Sequence, residues 1–462
     1  MSTITRTSAP PRITRPGVTL AVIVLCQLMI GLDSSIVTIA LPQIQNGLHL
    51  SGTGLAWIQN SYMLAFGGLL LLGGRAGDIL GRRRVFLAGV SLFTLASLAG
   101  GLASAGWFLL TARTLQGVGA AVAGPSTMAL IAANFEGGAR VRALSVFSAV
   151  TGAGGAIGML AGGLLTDWAS WRSAFFVNIP IGLVLLALAP RFVAETQRRP
   201  GRFDLPGALT STVGMTALVY GFIRAASAGW HDSLTVGSLL AAVILLGLFL
   251  ALESRAVQPI MPLGLFGDRD RSAAYAAMLL LCAAMFGMFF FLTQFLQEVL
   301  GFGPLKAGLA FLPMVLMQFT CVRTLPRFLP RLGAKTISGA GAVSVTLGLL
   351  WLAQISASSG YLSGVLGPLV LMGMGGGLSI MPLNMTILSR VPPAESGAAS
   401  GLAQTMVWGG GALGSAVLVT VYGAATAHPA GPIQIHGMTT AFAVATAFST
   451  LALLIILTLR PR

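Results

Sequence analysis

Two charged side chains stand inside long apolar stretches of the 462-residue sequence, and they are the residues best placed to do chemistry. Asp33 lies within the run Leu28–Val37, and Arg113 lies in a later apolar segment. A charge near the centre of a bilayer costs about 2.5–3.5 kcal/mol on insertion scales, so such residues normally face a water-filled cavity or a partner. Both positions therefore indicate either a functional polar site or a buried ion pair.

A carboxylate in such a setting can bind and release a proton. Burial strengthens the binding of a proton by a carboxylate, whereas a nearby guanidinium weakens it. A change in water access, or in the separation of Arg113 from Asp33, would therefore change the proton affinity of Asp33. We predict that Asp33 and Arg113 form a proton-coupling site. A static ion pair between two helices is the alternative reading.

The most specific motif is GRAGDILGRRR, from Gly74 to Arg84. Glycines let two backbones pass closely at a tight turn, and a carboxylate there can pair with arginine or with a helix N-terminus. Simple anchoring by positive charge would explain the arginines but not the spacing of the glycines and the aspartate. We predict a conformational latch formed by Gly74, Gly77, Asp78, Gly81, Arg82 and Arg83.

Other chemistry has little support in the sequence. It contains no nucleotide-binding loop with Gly-Lys-Ser/Thr, no metal-ligand spacing and no nucleophile with a matching base. The three cysteines lie in apolar segments, and the four histidines lie in or near loops. We therefore expect no enzyme activity, no cofactor and no metal, and an ion gradient as the source of energy.

Composition defines the elements that must position these residues. The chain is 55% hydrophobic and only 8% charged, against about 25% charged residues in soluble domains, and its mean hydropathy is +0.87. Apolar stretches of nearly twenty residues, the length of a membrane-spanning helix, recur along it. We predict an all-α polytopic membrane protein with fourteen transmembrane helices near 17–41, 54–74, 84–103, 106–133, 143–166, 173–193, 204–224, 233–253, 271–297, 304–326, 334–355, 361–389, 397–424 and 437–459.

Basic residues occur in alternate loops, which is the positive-inside pattern. The basic set is Arg75, Arg82, Arg83, Arg84, Arg140, Arg142, Arg191, Arg198, Arg199, Arg202, Arg255, Arg269, Arg271, Arg323, Arg327, Arg331, Lys335 and Arg390, with Arg6, Arg12, Arg15, Arg460 and Arg462 at the termini. The other loops hold little beyond Arg172 and Lys306. This alternation predicts both termini in the cytoplasm, and it explains the net charge of +15 without a nucleic-acid partner.

Polar breaks divide the chain into three parts. We predict a six-helix bundle at 17–193, two inserted linker helices at 204–253 and a second six-helix bundle at 271–459. The two bundles echo each other, as in many secondary transporters. The matched features are Asp78–Arg83 with Pro330–Lys335, Gly119 and Pro125 with Gly376 and Pro382, and the glycines of 152–163 with Gly409, Gly410, Gly411 and Gly414.

Several of these stretches together resemble the major facilitator superfamily, and in particular its fourteen-helix drug:proton antiporter branch. The GRAGDILGRRR motif resembles the signature loop of the superfamily. The other similar stretches are Leu32–Pro42, Arg113–Ala121, Trp171–Gly182, Phe203–Gly207 and Gln294–Gln297. The resemblance covers nearly the whole chain and implies a proton-driven exporter that works by alternating access.

Two positions depart from the pattern of that branch. Thr38 stands where the branch usually has asparagine, and Met159 stands where the antiporter motif of the fifth helix has proline. Gly154, Gly158, Gly162 and Gly163 keep the glycine packing face of that motif, but the proline kink is missing.

Polar and aromatic residues inside the apolar segments are candidates for a binding pocket. The predicted substrate-binding residues are Gln27, Gln59, Asn60, Tyr62, Gln294, Gln297, Asn384, Gln404 and Trp408. The thirteenth predicted helix has no carboxylate, which favours a neutral, weakly charged or anionic lipophilic substrate over a multivalent cation.

The expected function is export of a lipophilic small molecule, such as a drug or an antibiotic, in exchange for protons. We expect a monomer in the plasma (inner) membrane whose partners are that substrate, protons and the lipid bilayer. Uptake or facilitated diffusion by the same fold, and a membrane sensor that does not transport, are the alternatives.

Overall fold

A computed structural model describes residues 15–196, 198, 201, 203–392, 395–426 and 433–460. Throughout these ranges the secondary structure is helical, with no strand. The all-helical class predicted from composition is confirmed. The basic residues Arg6, Arg12, Arg199, Arg202 and Arg462 lie outside the described residues.

The described part of the chain contains fifteen α-helices, some of which join end to end. They are α1 Pro16–Leu48, α2 Gly52–Leu80, α3 Arg82–Gly101, α4 Gly106–Asn134, α5 Gly137–Trp168, α6 Ser173–Phe176, α7 Asn178–Phe192, α8 Leu205–Ala228, α9 Ser233–Glu253, α10 Arg269–Gln294, α11 Pro304–Ala310, α12 Leu312–Leu352, α13 Leu366–Leu388, α14 Ser396–Thr426 and α15 Ile433–Leu457. Short π-helical turns at Phe295–Val299 and Tyr361–Val365 extend α10 and precede α13.

Thirteen helical stretches of the described chain are long and apolar enough to cross a membrane. One of them, Pro304–Leu352, has 49 residues, more than twice the length of about 20 residues that one crossing needs. Its interior contains Gly333, whose φ of 75° and ψ of 159° are not helical. The run is therefore divided into two helical parts at Gly333.

The bend at Gly333 is the counterpart of the turn at Gly81. Gly81 also has a positive φ, of 103°, and it separates α2 from α3. Such φ values are the left-handed region that glycine enters without a Cβ clash. Gly81 lies in the loop Asp78–Arg83, and Gly333 lies in the matching loop Pro330–Lys335. Both turns therefore use glycine to reach a positive φ.

Glycine-mediated packing of neighbouring helices also occurs twice. Gly117 leaves no room for a Cβ against the carbonyl of Tyr62, as Gly373 leaves none against the carbonyl of Met314. Gly119 packs on the backbone of α3 at Gly89 and Phe93, and Gly375 repeats this packing on Gly341 and Val345 of α12.

This second match corrects one detail of the predicted repeat. The residue that takes the packing position of Gly119 is Gly375, one residue before the Gly376 that the glycine–proline spacing indicates. Gly376 instead faces the side chains of Met285 and Gln318. Equal spacing to a proline does not fix the packing face, because neighbouring residues on a helix point about 100° apart.

Helices α8 and α9 pack on each other, and α8 also packs against α2 and α14. One end of this pair is closed by a salt bridge in which Arg224 Nε lies 2.6 Å from Asp232 Oδ2. The hydrogen bond from Arg224, helped by the N–H of Thr235, lowers the pKa of Asp232 to about 2. Asp232 therefore stays ionised and caps the start of α9.

Candidate functional site

Asp33 is completely buried, and four polar side chains from three other helices surround it or its partners. Its Oδ2 lies 2.6 Å from Nη1 of Arg113. Its Oδ1 accepts hydrogen bonds from Nε2 of Gln116 at 2.9 Å and from Nδ2 of Asn178 at 2.8 Å. Gln116 also donates to Oγ of Ser97. We call Asp33, Arg113, Gln116 and Asn178 the Asp33 network.

The network explains how a charge pair is tolerated at this depth. Arg113 is 2% exposed and Asp33 is 0% exposed, and a buried pair is stable only when further hydrogen bonds satisfy its remaining donors and lone pairs. Arg113 supplies some of these bonds itself, through Nη1 to the side chain of Gln116 and Nε to the carbonyl of Ile58. In this conformation both members of the pair are buried and hydrogen-bonded to neighbouring groups.

Sequence reasoning found Asp33 and Arg113 but not their neutral partners. Gln116 lies in the stretch Arg113–Ala121 and Asn178 in the stretch Trp171–Gly182, but the sequence alone predicts no separate role for either residue. Gln116 follows Arg113 by three residues, which puts both side chains on one face of α4. That spacing is a signal that could have found Gln116. Asn178 begins α7 at a distance of 145 residues from Asp33, and no local pattern indicates such a contact.

Tyr62 covers the guanidinium of Arg113 with its ring. The guanidinium carbon lies 4.2 Å from the centroid of the tyrosine ring, within the range of a cation–π interaction. The same ring makes an edge contact with Trp408 of α14, at a centroid distance of 6.0 Å. Tyr62 therefore joins the Asp33 network to a helix of the other half of the chain.

The network itself has no charged counterpart in the second half. Gly158 and Gly162 pack on Leu32 and Ile36 of α1, as Gly410 and Gly414 pack on Leu279 and Ala283 of α10. Asp33 follows Leu32, whereas an apolar residue, Leu280, follows Leu279.

The position of Arg113 has an apolar counterpart as well. Arg113 precedes the packing glycine Gly117 by four residues, and Leu369 precedes the corresponding Gly373 by four. Leu369 is fully buried. The repeated backbone packing thus carries an ion pair in one half only.

The predicted latch residues meet at the junction of α2 and α3. Asp78 Oδ1 lies 2.5 Å from Arg82 Nη2, and the Arg82 side chain fills the space beside Gly77. Arg83 donates through Nη1 to the carbonyls of Pro190 and Val193 at the end of α7. Gly74 faces Pro125 of α4.

Glu195 is the residue of this junction that sequence reasoning missed, because it resembled an ordinary loop charge. Its carboxylate accepts the backbone N–H groups of Arg83 at 3.0 Å and Arg84 at 3.2 Å, and so caps the first turn of α3. It also sits where a Cβ on Gly81 would point, with Oε1 2.8 Å away. The junction therefore contacts the segment after α7 through both backbone and side chains.

The four glycines predicted as a packing motif on α5 face two different helices. Gly154 lies against Gly31 of α1, and Gly158 and Gly162 continue this contact line. Gly163 faces Pro304 and Leu305 of α11. Met159, at the missing proline, is buried and α5 runs without interruption from Gly137 to Trp168.

Three of the predicted substrate-binding residues come together where α2 meets α14. Asn60 Oδ1 accepts a hydrogen bond of 2.7 Å from Oγ of Ser415. Trp408 lies 6.0 Å from Tyr62, 4.7 Å from Phe66 and 5.6 Å from Phe286 between ring centroids. This aromatic cluster is the main apolar contact between the two halves near the Asp33 network.

The remaining predicted substrate-binding residues lie elsewhere. Gln59 is buried with both amide atoms unpaired, Gln27 is half-buried and Gln404 is exposed. Gln294 and Asn384 donate to carbonyls of their own helices. Gln297 accepts from Gln43 at 2.8 Å and donates to the carbonyl of Ile39, so it joins the ends of α10 and α1 instead of facing an open space.

Candidate metal sites are lacking in the same described ranges: no group of three or more His, Cys, Asp or Glu side chains there could hold a metal ion. The main features of the structure are the same glycine packing in both halves of the chain, an ion pair buried in the first half and polar contacts between the halves. These features define the class of membrane transporters built from two related halves.

Comparison with known protein families identifies the family to which the chain belongs. The model of the Major Facilitator Superfamily matches residues 23–415. The chain belongs to this superfamily and is a multi-pass membrane protein.

Relatives of known role are similar over most of their length. The chain is 41% identical over 426 residues to the cephamycin export protein CmcT of Amycolatopsis lactamdurans, covering 90% of this chain and 88% of the relative. It is 41% identical over 447 residues to the puromycin resistance protein pur8 of Streptomyces alboniger, covering 92% and 88%. Among solved structures, the POT family transporter PepTSo matches with a TM-score of 0.69 at 16% identity over 97% of this chain and 98% of that one.

Proposed function

We propose that this protein exports a lipophilic small molecule, of the drug or antibiotic type, in exchange for protons by alternating access, and that it is a transporter and not an enzyme. The observation that carries the proposal is the buried Asp33–Arg113 pair, 2.6 Å apart, in a superfamily member whose relatives include an export protein and a resistance protein. A buried acid with hydrogen-bond partners on two other helices can bind and release a proton when its surroundings change.

The architecture that we propose has fourteen crossings and both termini in the cytoplasm. The bend at Gly333 supports counting Pro304–Leu352 as two crossings. The loops that carry the basic residues belong on the cytoplasmic side by the positive-inside rule. We propose a first bundle at 17–193, an inserted pair at 204–253 and a second bundle at 271–459, in a monomer of the plasma (inner) membrane.

The conformation in hand is best interpreted as closed on the outer side. Gln43 and Gln297 join α1 to α10 at the ends farthest from the basic loops. Met159 and Gly163, in the outer part of α5, contact α11 at Gly308 and Pro304. The halves also touch where α14 crosses α2, at Gly401 and Leu71 and through the hydrogen bond from Thr405 to the carbonyl of Gly67. We propose that these α2–α14 contacts change when the cytoplasmic side opens.

Rocking of the two halves acts on the Asp33 network through Tyr62, whose ring covers Arg113. Asp33, Arg113, Gln116 and Asn178 all belong to the first bundle, so a rigid rotation of the bundles leaves their distances unchanged. Tyr62 also belongs to the first bundle, but the ring of Trp408 packs against it from the second. Movement of α14 away from α2 would free Tyr62 to turn and admit water to Arg113 and Asp33.

Proton exchange then follows from the change in access. Water that reaches the network lets Asp33 take a proton, which removes its negative charge and weakens its hold on Arg113. A neutral Asp33 leaves Arg113 as a charge without its counter-ion, so we propose that Asp33 holds the proton only while water still reaches Arg113. We propose that substrate binding between the bundles drives the opposite step.

The same aromatic cluster is the proposed contact surface for substrate. Phe66, Phe286 and Trp408 offer flat apolar faces where α2 meets α14, and the amide of Asn60 lies at the same helix contact. This mixture suits an uncharged lipophilic molecule with a few hydrogen-bonding groups. Gln59, elsewhere on α2, is a second candidate for such a bond, because its two buried amide atoms have no partner among the described residues.

The test is uptake of puromycin and of a cephamycin into inverted membrane vesicles, with and without an imposed pH gradient. The wild type should accumulate at least one of these probes only when the gradient is present. Asp33→Asn should abolish accumulation per molecule of protein in the membrane, with the protein level measured in the same vesicles because Arg113 is left without its counter-ion. Asp167→Asn, which changes an exposed acid at the outer end of α5, should leave accumulation unchanged. Accumulation by Asp33→Asn at the wild-type level contradicts the proposal, and equilibration without a gradient indicates facilitated diffusion.

A further inference from the structure

A pair of carboxyl groups joins the two inserted helices, and the transport scheme does not use it. Asp204 is the residue before α8, and Glu253 is the last residue of α9. One oxygen of each carboxyl group accepts a hydrogen bond from a backbone N–H. Asp204 Oδ1 accepts the N–H of Gly207 at 3.0 Å, and Glu253 Oε2 accepts the N–H of Met261 at 3.1 Å.

The other oxygen of each group is buried and has no donor. Asp204 Oδ2 and Glu253 Oε1 are inaccessible to solvent and receive no hydrogen bond from any N–H or O–H of the ionised protein. Glu253 as a whole is only 3% exposed. Leaving such an oxygen without a partner costs the full desolvation of the group, which is larger still for a charge.

Both of these oxygens border the same small space beside Gly207. A Cβ built on Gly207 would collide with Asp204 Oδ2 and would lie 2.7 Å from Glu253 Oε1. Two ionised carboxylates that share such a space cannot hydrogen-bond to each other, since neither has a hydrogen to donate, and their like charges repel at short range.

Among the described residues, the charged groups near the pair do not bond to these two oxygens. Arg75, which α2 contributes to this corner, lies against Gly201 and donates to Gln258. Arg255, on the segment that follows α9, is exposed. The apolar residues Ala208, Phe249 and Ile260 form a small core beside the pair, which excludes water from it.

We propose that Asp204 and Glu253 share one proton at neutral pH and form a proton-binding site, separate from Asp33, that holds the inserted helices together. With the proton on Glu253 Oε1, the O–H donates to Asp204 Oδ2, and both unpaired oxygens gain their missing partner at once. Glycine at position 207 is required, because any side chain there would push the two groups apart.

The test is thermal unfolding of the full-length protein in detergent between pH 5.5 and pH 9. Glu253→Gln replaces the shared proton by an amide N–H that does not titrate. At the acidic end this variant should unfold at nearly the wild-type temperature. As pH rises, the wild type should lose the proton and fall below the variant by at least about 2–4 °C, the shift typical of 1 kcal/mol in a large domain.

Glu136→Gln is the matched control, because it makes the same glutamate-to-glutamine change at an exposed site on the same side of the membrane. Its difference from the wild type should not change with pH. A Glu253→Gln difference that is equally flat overturns the proposal. So does a wild type whose loss at high pH is prevented by sodium ions, since a bound cation would then replace the proton.

Infrared spectroscopy gives a second measurement that does not depend on unfolding. The wild type at neutral pH should show the carbonyl absorption of a protonated carboxylic acid that is absent from both Glu253→Gln and Asp204→Asn, while Glu136→Gln keeps it. An absorption of the same size in all four proteins overturns the proposal. Neither measurement involves transport, so failure here would leave the proposed export function untouched.

Discussion

Nη1 of Arg113 donates to Oδ2 of Asp33 over 2.6 Å, and both side chains are closed off from solvent. Removing one member of such a pair leaves an uncompensated buried charge. We therefore expect Arg113→Ala to lower the free energy of unfolding by about 3–5 kcal/mol. The double variant Asp33→Asn/Arg113→Gln should lose less than Arg113→Ala alone, because no charge is left unpaired.

Thermal unfolding of the purified variants measures this expectation. Arg140→Ala, which removes an exposed arginine at the start of α5, should change stability by less than about 0.5 kcal/mol. A double variant that is less stable than Arg113→Ala would mean that the ion pair is not what stabilises this region.

Asn178 should tune the pH range of transport. Its amide donates to Asp33 at 2.8 Å, and a hydrogen bond to a charged group contributes about 1.5–3 kcal/mol. Asn178→Ala leaves Oδ1 of Asp33 with one hydrogen-bond donor fewer, so we expect the pH profile of export to move to higher pH than that of the wild type.

The measurement is the rate of puromycin accumulation in inverted vesicles over a series of external pH values. Asn46→Ala, at the exposed end of α1, serves as the control and should keep the wild-type profile. A profile of Asn178→Ala that shifts to lower pH, or that only loses amplitude, would argue against a role for Asn178 in proton binding.

Gly81 should tolerate no side chain. Its φ of 103° is costly for any L-residue, by roughly 1–2 kcal/mol, and a Cβ would also displace Glu195 from the start of α3. Gly81→Ala should therefore lower the thermal midpoint and slow export together. Gly138→Ala is the matched substitution, since nothing lies within 4 Å of its Cβ position, and equal behaviour of the two variants would refute the strain argument.

Gln43 and Gln297 should report opening of the outer side. In a background where Cys26, Cys282 and Cys321 are replaced by alanine, the pair Gln43→Cys/Gln297→Cys should form a disulfide under mild oxidation. Export should then stop and return on reduction, because the halves can no longer part at this end. Gln45→Cys/Gln297→Cys offers a comparison, since residue 45 points to another face of α1, and unimpaired export by the cross-linked first pair would show that this contact never opens.

The sequence predicts well wherever a single residue conflicts with its surroundings. Asp33 and Arg113 stand out because charge in an apolar run demands a partner, and the structure supplies each with the other. The glycines of α5 stand out through their regular spacing, and the structure places Gly158 and Gly162 against α1. These features depend on composition and period, which a single chain displays.

Contacts between segments that are distant in sequence cannot be predicted from composition or residue spacing. Glu195 lies in a polar segment, where a carboxylate is common and indicates no special role. Its contact with the first turn of α3 is formed only in the folded chain. Gln297 was expected to face substrate because it is polar within an apolar helix, but its partner Gln43 lies 254 positions away. Neutral amides in helices bond to many kinds of partner, so their type alone does not reveal which one.

Leu280 and Leu369 stand in the second half of the chain where Asp33 and Arg113 stand in the first. Two copies with the same backbone packing have thus come to differ by one electrostatic pair. A hybrid that joins residues 1–203 of this chain to the later portion of a relative would inherit the pair with Gln116 and Asn178 intact. Such hybrids could therefore acquire a different cargo while the titratable apparatus stays as it is here.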